Sequence, residues 1–180
     1  MSKKNHVLIG VTASIAAYKS CEIISALRKS GYEVKVAMSQ DAKHFITALT
    51  LQTISGNKVA SDMFELPAEW DIVHVTLAKW ADLILVAPAT ADMIGKLAHG
   101  RADCVVSATI LSSKADILIA PAMNDNMYLN KTVRSNIKTL KSLGYNFIGP
   151  VKGNLACGNI GIGHLASVSE IVKTSKDILK

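Results

Sequence analysis

Short runs of consecutive apolar residues alternate along this chain with segments in which apolar residues recur every three to four positions. The runs read as strands buried on both faces and the periodic segments as helices laid over them, so the alternation predicts a parallel sheet covered on both sides. His6 to Val11 is the first strand. Ala16 to Ser30 follows as a helix, with Ala16, Ile23, Ile24 and Leu27 on one face and Gly31 as its stop. Tyr32 to Met38 alternates Val34 and Val36 with charged neighbours and makes the second strand; helical segments then cover 41–56.

Two later runs are near-copies of one phrase, ADLILVAPAT at 81–90 and ADILIAPAMN at 115–124. Each is a stretch of Leu, Ile and Val stopped by Pro-Ala, which predicts a buried parallel strand leaving the sheet at its carboxyl edge. Their flanks differ, so they are no repeat array, but they place Thr90 and Asn124 at one edge of one sheet. That edge is where open α/β sheets bind ligands. Helices are expected over 91–99, 102–112 and 131–143, the last ending at Gly144, with YNFIG as a final strand. Beyond Pro150 the pattern reads as a glycine-rich loop, and Ser167 to Leu179 as an amphipathic helix. The expected fold class is α/β: a Rossmann-like (flavodoxin-like) three-layer fold, a parallel sheet with helices on both faces, in a single domain over 1–180.

A chain of 180 residues is long enough to bury a core without disulfides or metal. At 49% hydrophobic and 19% charged residues it is apolar-rich and leaves surface for contacts with other subunits, so a homo-oligomer is expected. Cys21, Cys104 and Cys157 are odd in number and widely spaced; they write no disulfide framework or paired metal motif and fit a reducing cytoplasm. The apolar run HVLIGV is shorter than a signal h-region, and no stretch approaches the roughly 20 apolar residues of a membrane span. The net charge of +6 comes from scattered lysines without interleaved aromatics, which gives no nucleic-acid-binding stripe and leaves room for an anionic small ligand.

The first strand-to-helix turn, GVTASIAAYK, sits where phosphate-binding turns sit but lacks G-x-G-x-x-G and the Walker lysine. Its small residues and the Thr12 and Ser14 hydroxyls suit a phosphate or flavin edge at a helix N-terminus; an ordinary Ser N-cap explains the stretch equally well. His74 stands just upstream of the first Pro-Ala strand, near the ligand-binding edge, although a lone histidine is more often structural. Asn124 directly follows a strand-ending Pro-Ala, where its amide can hold a carboxylate without adding charge, cap the next helix, or do both. Cys157 lies among Gly153, Gly158, Gly161 and Gly163 in GNLACGNIGIGH, neither in an apolar run nor at metal-ligand spacing.

GVTASIAAYK, HVTLAKWADLILVAPATADMIGKLAHGRAD, APAMNDNMY and LACGNIGIG occur in the order and at about the separations of the homo-oligomeric flavin-containing cysteine decarboxylases, which the chain resembles from His6 to about Ser169. The resemblance implies FMN held by Ala13, Ser14 and Ile15, by Ser39 at the end of the second strand, by Thr90, Ala91, Asp92 and Met93, and by Ala122. It implies a homo-oligomer, a trimer or an assembly of trimers, with FMN between subunits. Within the family the motifs are most similar to the branch that decarboxylates 4′-phospho-N-pantothenoylcysteine in coenzyme A biosynthesis. There the cysteinyl unit is oxidised to a thioaldehyde, carbon dioxide is lost, and the enethiol is re-reduced to 4′-phosphopantetheine.

By the same resemblance His74 is the active-site base or proton mediator, Asn124 grips the carboxylate, and Cys157 gives the proton that accompanies re-reduction from a mobile flap at about 152–166. No metal is required. Relatives that decarboxylate peptidyl cysteines lack this cysteine and stop at the enethiol. Two departures stand out: Gly161-Ile162-Gly163-His164-Leu165 where many relatives have Gly-x-Gly-Arg-Met, and Cys104 where relatives often have Asn. Cys104 is expected to be a buried helix residue and Cys21 a packing residue. The competing readings are a peptidyl-cysteine decarboxylase, a flavin prenyltransferase of the same fold, and a non-catalytic regulatory relative.

Overall fold

The structure, a computed structural model, describes residues 5–64, 72–154, 158 and 160–180. Strands β1 (His6–Val11), β2 (Glu33–Met38), β3 (Val59–Ala60), β4 (Leu83–Ala89), β5 (Asp116–Pro121) and β6 (Asn146–Phe147) form one parallel sheet in the order β3-β2-β1-β4-β5-β6. The central strand β4 is buried along its whole length.

Alternate side chains of the strands enter two cores. Val7, Ile9, Val11, Leu83, Leu85 and Ala87 face helices α1 (Lys19–Lys29), α2 (Ala48–Ser55) and α8 (Val168–Ile178). Leu8, Ile84 and Val86 face α3 (Val73–Trp80), α4 (Ala91–Ala98), α5 (Val105–Leu111) and α7 (Lys131–Ser142). This period of two across a doubly covered sheet is why the strands read as unbroken apolar runs. Truncating a fully buried centre such as Ile84 to Ala costs about 2–5 kcal/mol. The three-layer α/β architecture expected from the sequence is the one observed.

Several local features differ from expectation. The first helix opens as a 3-10 turn, Ile15–Tyr18, before α1 begins at Lys19, and Gly31 ends it at φ +88°. Helix α3 is not legible in VHVTLAKW, whose β-branched residues favour strands and whose N-cap position, Ile72, supplies no side-chain cap. Packing decides there: Leu77 is buried in the second core and α3 lies against α5. The stretch after Pro150 contains an antiparallel hairpin, β7 (Val151–Asn154) with β8 (Ile160–His164), pairing Gly153 with Gly161. Glycine is depleted in strands, which hides this pairing from the sequence.

Candidate active site

In the observed strand order the winding of the sheet reverses between β1 and β4. The carboxyl ends of these neighbours therefore diverge toward opposite faces and leave a crevice. Thr12 ties the two ends together: its buried hydroxyl donates to the Pro88 carbonyl (2.7 Å) and accepts from the Thr90 N–H (3.1 Å). Thr12 is thus engaged inside the protein, a structural role that the sequence left open. The pairing of β4 with β5 shifts register between Val86 and Ala89, and the Ala87 carbonyl in this irregular segment accepts from the Ser20 hydroxyl at 2.8 Å.

Three hydroxyl side chains ring the crevice as helix caps. Ser14 accepts from the Ala16 N–H (3.3 Å), Ser39 from the Ala42 N–H (3.3 Å) and Thr90 from the Met93 N–H (3.2 Å). Each oxygen serves its helix as acceptor and keeps its own proton to donate. The first N–H groups of a helix have no carbonyl within that helix to accept them. The turn after β1, the turn after β2 and the start of α4 therefore bring donors to one place.

A cavity of about 450 Å³ occupies this place. Thr12, Ala13, Ser39, Thr90, Asp92 and Met93 line it, together with Gln40, Asp41, Lys96, Asp103, Cys104 and Met127. The first group is where the sequence pointed. Ser14, directly after Ala13, caps the 3-10 turn that Ile15 begins, Ala91 is the first residue of α4, and Ala122 is buried beyond β5 with its N–H on the Ala89 carbonyl (3.0 Å).

Lys96 was missed by sequence reasoning, although its spacing of four from Asp92 is that of a helical ion pair. Its ammonium lies 3.1 Å from Asp92 and 3.3 Å from Asp103, and Arg101 meets Asp103 at 2.7 Å. Burial works to lower the Lys96 pKa, but the hydrogen bonds and charges of the two carboxylates outweigh it and hold the ammonium above its ordinary value. Partial desolvation of Asp103 is likewise outweighed by Lys96 and Arg101, which hold its carboxyl below the usual range. The network fastens α4 to the connection that leads into α5.

Cys104 corrects its expectation. It is the half-buried N-cap residue of α5 rather than a residue inside a helix, it lines the cavity, and its Sγ lies 3.3 Å from the Ser107 hydroxyl. Cys21 is half-buried against the first core, with its thiol pKa raised by desolvation, as a packing residue should be.

Asn124 is the N-cap of α6 (Asp125–Leu129), its Oδ1 accepting from the N–H groups of Asn126 (2.9 Å) and Met127 (3.4 Å). The cap commits the acceptor end of the amide to the helix. Met127, at the end of the capped turn, reaches the cavity wall. His74 stands in the first turn of α3; its Nδ1 is buried without a hydrogen-bond partner among the described residues, and it does not line the cavity. Cys157 lies outside the described residues. Of the flap, β8 rests on the loop after β5, with the Met123 N–H donating to the Gly163 carbonyl at 3.0 Å. Among the described residues no cluster of His, Cys, Asp or Glu is arranged to hold a metal ion, and no helix is long and apolar enough to cross a membrane.

A family model described as flavoprotein matches residues 1–180. The coenzyme A biosynthesis bifunctional protein CoaBC of Borreliella burgdorferi is 46% identical over 186 residues, covering 100% of this chain and 47% of that protein. The chain spans about half the length of the curated relatives it matches. Among solved structures, a cysteine-to-serine mutant of PPC decarboxylase complexed with pantothenoylaminoethenethiol superposes with a TM-score of 0.85 at 28% identity, covering 96% of this chain and 97% of that one. The FMN-dependent cysteine decarboxylase SpaF superposes with a TM-score of 0.84 at 26% identity, covering 99% of both chains.

Proposed function

The chain belongs to the flavoprotein family, and on that premise we propose that it binds FMN in the crevice beside β1, β2 and β4 and decarboxylates 4′-phospho-N-pantothenoylcysteine to 4′-phosphopantetheine in coenzyme A biosynthesis. The observation that carries the reading is the cavity of about 450 Å³, lined by Ala13, Ser39, Thr90, Asp92 and Met93, at the switch point of the sheet. Its volume lies in the range of about 300–1,000 Å³ usual for small-molecule sites. Its donors are hydroxyl and helix-start N–H groups, which suit the phosphate and carbonyl acceptors of a flavin nucleotide, and Ala13, Met93 and Met127 add apolar wall. The relatives named for coenzyme A biosynthesis, and the decarboxylase structure with its pantothenoyl ligand, support the substrate.

Bound flavin supplies a reversible two-electron acceptor, without which loss of carbon dioxide would leave an unstabilised carbanion. The residues of the chain bind, orient and move protons. Asn124 presents its donor end to the substrate carboxylate, and the α6 cap fixes that orientation in advance. His74 holds or passes the proton removed during oxidation, a task suited to an imidazole. Cys157 returns a proton when the enethiol is reduced.

His74 does not line the cavity of its own chain, and large apolar side chains beside the crevice and at the start of α3 are open to solvent: Ile15 at 62%, Ile72 at 59% and Met127 at 48%. Both observations support a homo-oligomer, a trimer or an assembly of trimers, in which one subunit completes the site of another; the widely spaced cysteines, which write no disulfide framework, suit work in the cytoplasm.

The test is to incubate the flavin-loaded protein with 4′-phospho-N-pantothenoylcysteine and follow carbon dioxide and product mass. Release of carbon dioxide with formation of 4′-phosphopantetheine is expected; absence of turnover with flavin bound refutes the proposal. Replacing Cys157 by Ser should yield a product two hydrogens lighter, and unchanged 4′-phosphopantetheine output removes Cys157 from the mechanism.

A further inference from the structure

Asn124 is flanked by two residues that strand β8 holds. On one side Met123 donates its N–H to the Gly163 carbonyl at 3.0 Å, and its own carbonyl comes so near the Gly163 Cα that any Cβ there would overlap it. On the other side Asp125 lies over Gly161, where a Cβ would stand 2.6 Å from Oδ2 and 2.8 Å from the Asp125 Cβ. Gly161 and Gly163 are two apart in a strand and so share one face. Neither has a positive φ, so these glycines serve close approach, of backbone to backbone at Gly163 and of backbone to side chain at Gly161, rather than a special turn.

The two contacts differ in how far they can yield. At Gly163 the opposing atom is the main-chain carbonyl of Met123, whose own N–H is hydrogen-bonded to the Gly163 carbonyl. At Gly161 it is a side chain that can change rotamer. For Gly153, the glycine of strand β7, the nearest atoms are those of the His164 ring and Cβ, from 3.3 Å, inside the hairpin itself.

We propose that Gly163, seconded by Gly161, is a positioning residue for the Asn124 amide: β8 clasps Met123 and Asp125 and thereby sets the angle at which Asn124 meets the substrate carboxylate. The proposal rests on the role given to Asn124 above. Misplacement of about 1 Å costs on the order of 10²-fold in rate. Gly163→Ala should therefore lower kcat/KM about 10²-fold, Gly161→Ala about tenfold or less, and Gly153→Ala hardly at all.

The experiment measures four properties of each flavin-loaded variant: flavin per chain, melting temperature, decarboxylation kinetics, and amide hydrogen exchange at Met123. Positioning predicts unchanged flavin content, the graded loss of kcat/KM, and Met123 exchange about tenfold faster in Gly163→Ala because its hydrogen bond is broken. A purely structural role would instead lower flavin content and melting temperature together. If Gly163→Ala does not fold, Gly161→Ala carries the test, and adding Asp125→Gly to it should restore kcat/KM by removing the overlapping side chain. Should the unmodified protein not turn the substrate over, the proposed function fails, while the exchange measurement still tests the clasp. Wild-type kcat/KM in Gly163→Ala with Met123 still protected overturns the inference.

Discussion

Strands β4 and β5 are written in nearly the same words and lie side by side, yet their ends do different work. Between Asp82 and Pro88 the first copy has one residue more than the second has between Asp116 and Pro121. The sheet takes up this extra residue in the register shift between Val86 and Ala89. Carbonyls in the shifted segment accept from the Thr12 and Ser20 hydroxyls, and β4 is thereby tied to β1 and α1. Its end, Thr90, caps the helix that forms one wall of the cavity. β5 leads through Ala122 and Met123 to Asn124, which caps a helix of five residues beside the hairpin strand β8. The same phrase makes the same strand; what packs on its end decides whether that end is a rigid cradle or a grip set by a second element.

On the proposed function, this contrast predicts that flavin binding depends mainly on the β4 end and substrate handling mainly on the β5 end, and substitutions should separate the two. The largest effect belongs to chemistry away from β4: His74→Asn should lower decarboxylation by about 10²–10⁴-fold with flavin content unchanged, as read by carbon dioxide release and flavin absorbance. Full activity would remove His74 from the reaction. Next, Thr12→Val leaves the Pro88 carbonyl and Thr90 N–H without their partner, at about 1–3 kcal/mol for each buried group. Thermal melts should show the loss, and flavin titration a weaker affinity.

A smaller and sharper comparison pairs two caps. Thr90→Ala and Asn124→Ala should each cost about 1 kcal/mol of stability, but only the first should weaken flavin binding. Equal effects on flavin would erase the distinction between the strand ends.

The smallest effect concerns the Lys96 network. Asp103 has a lowered pKa, so its contribution is complete above about pH 4 and is lost as pH falls through the lowered value. Lys96 has a raised pKa, so its contribution is complete below about pH 10 and is lost as pH rises through the raised value. Flavin affinity should be level across the neutral range, and Asp103→Asn should change it less than about tenfold. A steep dependence between pH 6 and pH 8, followed by flavin fluorescence, would contradict this assignment.

The sheet was legible in the sequence because β1, β4 and β5 are covered on both faces, which leaves uninterrupted apolar runs that little else produces. Their carboxyl edge was legible for the same reason, and with it Thr90, whereas Ala13 and Ser39 came from the resemblance of the motifs to a known family. Other features depend on contacts that no local pattern encodes. Helix α3 exists because Leu77 packs into the second core, against the β preference of Val73, Val75 and Thr76. The hairpin exists because Gly161 and Gly163 let a strand lie directly on Met123 and Asp125. Cys104 comes to the cavity because the network of Lys96, Asp103 and Arg101 shapes the connection before α5. Gly161 and Gly163, which look like freedom in the sequence, are here the places where β8 lies closest to its neighbours.

The division between the strand ends is tested most directly by Asn124→Asp. Aspartate caps a helix as well as asparagine does, so α6 and the crevice should persist, while the new charge would face the substrate carboxylate with the same sign. Flavin per chain and carbon dioxide released from 4′-phospho-N-pantothenoylcysteine should be measured on one preparation. Wild-type flavin content with no detectable carbon dioxide is the predicted result; carbon dioxide at the wild-type rate, or flavin lost along with activity, would contradict it.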